Sequence, residues 1–296
     1  MAGRSNSRTY GLVWPLLFVA TLAWMLLGLH PFATMCCISL SLFLLIKTHT
    51  LIEFRRGSET RPGFLILAAW FFCWPGLDAK AFFHVGDRTE TTSVPEVLFA
   101  IAKTIFGGLL FFVVAPRGID VHFLVGGWIG LVGAVFMLHF GSFHVAALFW
   151  RSRGRNVRPI MNVPILSTSV SDFWSKRWNL AFRDYAHPFL FKPLARKFSP
   201  ITAVAVGYLF SGLVHELAIS VPAGGGYGLP TLYFTLQGIA ILVERKLSKN
   251  GWNLRSGGVG WCWTLLVTAP GAFLLFHPPF LRVVVSPVIA AVGALG

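Results

Sequence analysis

Val97-Leu98-Phe99-Ala100-Ile101-Ala102-Lys103-Thr104-Ile105-Phe106-Gly107-Gly108-Leu109-Leu110-Phe111-Phe112-Val113-Val114-Ala115 carries a single charged side chain, Lys103. At about 1.5 Å per residue, a helix of this length comes close to the ~30 Å hydrocarbon core of a bilayer. Comparable apolar runs lie on both sides of it: 11–29 and 31–46 before, and 121–150, 201–221, 229–243, 259–276 and 280–295 after. The piece 63–74 is shorter and suits a re-entrant or interfacial segment. The long run 121–150 has a place to bend at Gly141-Ser142. The run 11–29 follows Arg4 and Arg8 as a signal peptide would. It has no small-residue cleavage site, and a second run follows at once, so it reads as a retained helix.

Composition agrees with these runs. Hydrophobic residues make up 55% of the 296 and charged residues 12%. A soluble domain carries about 25% charged residues. Mean hydropathy is +0.68. A soluble globular enzyme and a disordered chain are both excluded. The expected fold class is all-α: one polytopic transmembrane helical bundle over 1–296. The net charge of +14 fits anionic lipid or an anionic ligand rather than nucleic acid, because most of the chain belongs in lipid. Cys36, Cys37, Cys73 and Cys262 lie in apolar runs, so neither a disulfide framework nor a zinc pattern is expected.

Loop charge sets the expected topology. The basic loops are the N-terminus, 47–61, 151–197 and 244–255. All four share the cytoplasmic side if there are eight crossings and 63–74 enters and returns on one side. A full crossing by 63–74 would put the most basic loop outside.

Segment 151–200 breaks the apolar pattern. It holds ten basic residues against Asp172 and Asp184. Ser169 or Ser171 can cap a helix there. From that cap Val170, Phe173, Trp174, Arg177, Trp178, Ala181, Phe182 and Tyr185 follow helical spacing, and Asp172 with Lys176 is an i, i+4 pair. The spacing predicts an amphipathic helix in the cytoplasmic membrane interface. Such a loop serves either as an anchor or as a docking face for a polyanionic amphiphile.

Ionisable residues within apolar runs are costly to place and point to function. They are Lys103, His139, His144, His215, Glu216 and Arg282. The densest group is Ser211-Gly212-Leu213-Val214-His215-Glu216. Ser211 and His215 share a helix face. A neutral imidazole there can serve as a general base, with a nearby carboxylate to fix its tautomer. The alternative is a structural histidine bonded to a neighbouring carbonyl. His215-Glu216 begins like His-Glu-x-x-His, but Ile219 stands where the second ligand belongs. His139 and His144 are about 140° apart on a helix, too far round to share a metal. Neither a Gly-x-Ser-x-Gly elbow nor a phosphate loop occurs. Gly224-Gly225-Gly226-Tyr227-Gly228 is either an anion nest or a turn between spans.

Asp172-Phe173-Trp174-Ser175-Lys176-Arg177-Trp178-Asn179 resembles the Asp-Phe-Trp-x-x-Arg-Trp-Asn motif of the wax synthase branch of the membrane-bound O-acyltransferases. Ser211-Gly212-Leu213-Val214-His215-Glu216 resembles that branch's Ser-Gly-x-x-His-Glu. Pro159, Met161, Pro164, Ser167, Pro222, Gly225-Tyr227-Gly228, Pro230-Thr231 and Gln237 are further similarities. His139-Phe140-Gly141 and Trp74-Pro75-Gly76-Leu77-Asp78 are similar to bacterial members. The resemblance is strongest over 139–245, a motif-bearing core that contains the basic loop.

The resemblance implies a bundle with an internal tunnel, open to acyl-CoA from the cytoplasm and to an alcohol from the membrane. It makes His215 the catalytic residue and Asn179 its partner. Ser211, Glu216, Trp178 and Asp172 are expected to support them. Lys176, Arg177 and Trp174 are expected to contact acyl-CoA, which is a co-substrate; no metal or other cofactor is expected. The partners are then acyl-CoA, a hydrophobic alcohol and membrane lipid, for a monomer or homodimer. The expected location is a bacterial inner membrane, or the endoplasmic reticulum in a eukaryote. Related activities on sugars, polymers, peptides or specialised metabolites use the same histidine. A transporter or a non-catalytic lipid binder is the competing class; inverted repeats would mark a transporter, and none is visible.

Overall fold

The chain is described by a computed structural model that covers residues 16, 18–86, 91–252 and 254–294. Among these residues the secondary structure is helical, apart from one isolated bridge between Val85 and Arg155. Among the described residues, five helices are long and apolar enough to cross a membrane: Pro31–Arg56, Val94–Val121, Phe123–Ser152, Pro200–Ala223 and Gly257–Leu275. Only 11% of the most apolar window of Val94–Val121 is buried inside the protein. Leu98, Phe99, Ile105 and Phe112 face outward from it. Exposed side chains of that size on a whole helix call for lipid as the solvent, so the chain is an integral membrane protein.

Three further runs do not meet the same test. Residues 18–26 of the first run are helical, and its earlier part lies outside the described residues. Leu229–Lys249 is a 21-residue helix with a charged end, and Pro278–Gly293 is apolar but shorter. The piece expected to be re-entrant holds a nine-residue helix, Phe64–Phe72. At about 13 Å it covers less than half of the hydrocarbon core. The Lys47 ammonium ties it to helix Pro31–Arg56 by donating to the Trp70 carbonyl and lying 3.7 Å from the Trp70 ring centre.

Helices Val94–Val121 and Phe123–Ser152 form a hairpin turned at His122. A side chain added at Gly107 or Gly141 would run into the Met137 or Thr104 backbone. Small residues let the two helices touch where hydrophobicity alone drives nothing together. The bend expected at Gly141-Ser142 is met by a π-helical stretch, Val135–Ser142, inside a helix that otherwise continues.

The amphipathic segment departs from its expected form. It is broken into helix Val170–Asp172, a π turn Phe173–Arg177 and helix Leu180–Ala186. Trp178 is extended, and Asn179 takes the left-handed conformation with φ 44°. Asn is among the residues that tolerate this conformation. Of the two candidate caps, Ser169 does the capping; its hydroxyl accepts the Asp172 amide at 2.9 Å.

Candidate active site

Helix Pro200–His215 ends at the imidazole, and a π turn, Glu216–Ser220, begins at the next residue. Single π turns inside α-helices recur at functional sites. His215 Nδ1 lies 2.7 Å from the Ser211 carbonyl oxygen. A carbonyl only accepts, so Nδ1 carries the proton and donates it. The neutral ring then has its lone pair on Nε2, which has no protein partner among the described residues. The Phe234 ring, 4.4 Å away and tilted by 38°, holds the other face of the imidazole. A carboxylate was expected to fix the tautomer of a catalytic base; the bond to the Ser211 carbonyl is the one expected of a structural histidine, and it leaves Nε2 as the atom open to chemistry.

Glu216 has a different task. Its Oε1 accepts the Gly228 amide at 3.0 Å, the Thr231 amide at 3.0 Å and the Thr231 hydroxyl at 2.9 Å. Two of these three donors belong to Thr231 in the first turn of helix Leu229–Lys249 and one to Gly228 at its start, so Glu216 caps that helix, and Gly224–Gly228 forms the turn between two helices. Glu216 Oε2 is buried and has no partner among the described residues. Beside this clamp, helices Pro200–His215 and Leu229–Lys249 come into backbone contact. A Cβ at Gly212 would stand 2.7 Å from Thr231 Cα. Glycine in Ser211-Gly212 is thus a packing requirement.

The second motif reaches the histidine through Trp174. Its indole lies 5.5 Å from the Phe234 ring, 6.2 Å from Tyr208 and 6.3 Å from Tyr233. Its Nε1 donates to Gln237 Oε1 at 3.1 Å, and Gln237 Nε2 donates to the Val267 carbonyl at 3.0 Å. Trp174 is thus held at both its apolar face and its polar edge, as a buried indole requires. Trp178 stacks on Phe173 at 5.4 Å and packs near Phe140 at 6.2 Å.

Asn179 caps helix Leu180–Ala186. Its Oδ1 accepts the Phe182 amide at 3.2 Å, and its own amide donates to Met161 Sδ at 3.3 Å. With Oδ1 occupied, the side-chain NH₂ is the group left to donate. No hydrogen bond joins Asn179 to His215 among the described residues. Asp172 pairs with Arg177 Nε at 2.6 Å and less closely with Lys176 Nζ at 3.9 Å. The wider π turn brings residue i+5 beside residue i, which makes Arg177 the nearer partner.

Glu244 was missed in the sequence. It is fully buried. Its Oε1 accepts the Val170 amide at 2.6 Å and Trp263 Nε1 at 3.0 Å, and its Oε2 accepts the Ser171 amide at 3.3 Å. It anchors the first turn of the Asp-Phe-Trp motif. The sequence held one signal of it, a single acid opening the basic stretch 244–255 directly after an apolar run.

Fold and site together define an integral membrane protein with a histidine, bonded to the Ser211 carbonyl, where two helical segments meet. Residues 157–236 match the membrane bound O-acyl transferase family. The chain is 30% identical over 151 residues to a probable long-chain-alcohol O-fatty-acyltransferase 2 of Arabidopsis thaliana, covering 47% of this chain and 43% of that one. A long-chain-alcohol O-fatty-acyltransferase of Simmondsia chinensis is 30% identical over 109 residues, 32% of this chain and 30% of its own. An acyl-CoA–sterol O-acyltransferase 1 of Arabidopsis thaliana is 35% identical over 68 residues, 21% and 20% of the two chains. Residues 157–236 are thus similar to the membrane-bound O-acyltransferase family, and the relatives the chain resembles are of its wax synthase-like branch. The alignments cover less than half the length of each of these relatives.

Proposed function

We propose that this chain transfers a fatty acyl group from acyl-CoA to the hydroxyl of a lipid or other hydrophobic alcohol, as a wax ester synthase does. The observation that carries the reading is His215 Nε2, which has no partner among the described residues while Nδ1 is committed to the Ser211 carbonyl. The alcohol oxygen attacks the thioester carbonyl carbon while Nε2 takes its proton. The Asn179 NH₂ donates to the oxyanion as it forms. The C–S bond then breaks, the imidazolium returns the proton to the sulfur, and ester and free thiol leave. A thiol with a pKa near ~8.5 is a good leaving group.

The eight-crossing bundle is part of this proposal. The apolar run 11–29, of which 18–26 is described as helix, together with Leu229–Lys249 and Pro278–Gly293 supplies three crossings beside the five long apolar helices. A tunnel between them would hold the acyl chain at ~0.8 kcal/mol per buried CH₂ and exclude the water that competes with the alcohol. The cytoplasmic face of a bacterial inner membrane, or of the endoplasmic reticulum in a eukaryote, supplies acyl-CoA.

The test supplies labelled palmitoyl-CoA to membranes containing the protein, with long-chain alcohols, diacylglycerol and a sterol as acceptors. A labelled ester that disappears in His215→Ala, with the variant folded and present in equal amount, is the expected result. Ester formation that persists in His215→Ala overturns the mechanism.

A further inference from the structure

An open cavity of about 540 Å³ lies outside the histidine site. That volume is in the range of small-molecule pockets, roughly 300–1,000 Å³. Three stretches of chain build it. They are Trp74–Ala81, which contains the Trp-Pro-Gly-Leu-Asp motif that His215 chemistry leaves unused; the start of the basic loop, Arg151–Ile160; and helix Leu180–Ala186. Arg151, Arg155, Arg158 and Arg183 line it, against Asp78 and Asp184. Lys176 and Arg177 do not.

The four arginines are committed to different degrees. Arg151 pairs with Glu96 at 3.3 Å. Arg155 Nη1 donates to the Phe82 and Phe83 carbonyls, which fixes its guanidinium beside the cavity with no carboxylate paired to it among the described residues. Arg158 and Arg183 donate to the same oxygen, Asp184 Oδ1, at 2.7 and 2.8 Å. One carboxylate oxygen holds two guanidinium groups side by side, and most of their five N–H donors stay available. Side by side, the two suit an oxyanion with several oxygens. The aspartate orients them without neutralising both. The cavity wall continues through Leu180 and Ala181, the two residues after Asn179.

We propose that this cavity holds the phosphate-bearing nucleotide end of acyl-CoA, with Arg155, Arg158 and Arg183 as its contacts and the thioester arm passing Leu180 toward Asn179. This rests on the proposed acyl transfer and names where the donor is recognised. A phospholipid headgroup shares the phosphate chemistry but brings a single phosphodiester, where a nucleotide end with several phosphates engages all three arginines.

The experiment measures binding of adenosine 3′,5′-bisphosphate, which has neither thioester nor acyl chain, to the protein in phosphatidylcholine nanodiscs by calorimetry. Arg155→Gln, Arg158→Gln and Arg183→Gln are each expected to weaken binding about tenfold. Arg196→Gln, a charge loss elsewhere on the basic loop, is expected to leave it unchanged. Asp184→Asn is expected to bind as tightly or more tightly, which a folding defect does not produce. In a parallel assay, Arg158→Gln raises the KM for palmitoyl-CoA at constant kcat and leaves the KM for palmitoyl-pantetheine as it was. Absence of bisphosphate binding, equal binding in all variants, or loss of binding when phosphatidylglycerol replaces half the phosphatidylcholine overturns the assignment. The two readings fail separately. Arginine-dependent binding without turnover sinks the transfer reaction and keeps the cavity. Turnover with one KM across all variants sinks the cavity and keeps the reaction.

Discussion

Glu244 Oε1 accepts the Val170 amide at 2.6 Å across 74 positions of sequence. The bond fixes where the Asp-Phe-Trp motif starts, and so where Trp174 meets Phe234 behind His215. Glu244→Ala leaves two backbone amides and the Trp263 indole without an acceptor in a buried place, at about 1–3 kcal/mol for each group. A large fall in unfolding temperature in detergent is expected. Glu244→Gln keeps one oxygen and is expected to lose less. Equal stability of Ala, Gln and wild type would show that the amides find other partners.

Glu216 sits next to the base yet spends one oxygen on the Gly228–Thr231 turn. Its expected effect is on position and not on proton transfer. Glu216→Gln preserves an acceptor for the turn, so ester formation is expected to fall far less than in His215→Ala. A loss of ester formation as complete as in His215→Ala would give the carboxylate a share in the proton chemistry.

Much of this was legible in the sequence, and the rest was hidden for physical reasons. Five of the eight apolar runs announced helices of spanning length, because a bilayer sets that length. The motifs drew attention to His215 and Asn179, and capping chemistry narrowed the helix start to Ser169 or Ser171. The π turns were invisible. One extra residue per turn leaves no mark on a segment that is apolar all round, and at 173–177 it also changes which basic residue pairs with Asp172. The break at Trp178-Asn179 was hidden because i, i+3, i+4 spacing survives it by coincidence of side-chain type. Glu244 was absorbed into a basic loop with Arg245, Lys246 and Lys249. The arginine cavity needed three stretches brought together, which no local pattern reports.

Because Nδ1 is committed to the Ser211 carbonyl at 2.7 Å, Nε2 is the atom that must be unprotonated for transfer. The rate kcat is expected to fall as pH drops and the imidazolium forms, by about tenfold per pH unit once that form dominates. Acyl-CoA binding, measured in His215→Gln to prevent turnover, should stay flat over the same range. A kcat that is level through acid pH would remove Nε2 as the base.

Two glycines on one helix give opposite expectations. Gly207 has open space where a Cβ would stand, whereas at Gly212 the Cβ would be 2.7 Å from Thr231 Cα. Gly207→Ala removes backbone freedom from a helix interior and should stabilise by up to about 1 kcal/mol. Gly212→Ala forces two helix backbones apart and should cost about 1–3 kcal/mol. Thr231 also holds Glu216, and Phe234 sits one turn further along the same helix, so the shift carries the wall of the histidine site with it. The expected kinetic mark is a fall in kcat larger than any rise in the KM for acyl-CoA, because the arginine cavity lies on other elements. The check is a melt and a steady-state assay of both variants. Equal melting temperatures, or a Gly212→Ala that loses only acyl-CoA affinity, would show that the helix contact does not set the position of His215.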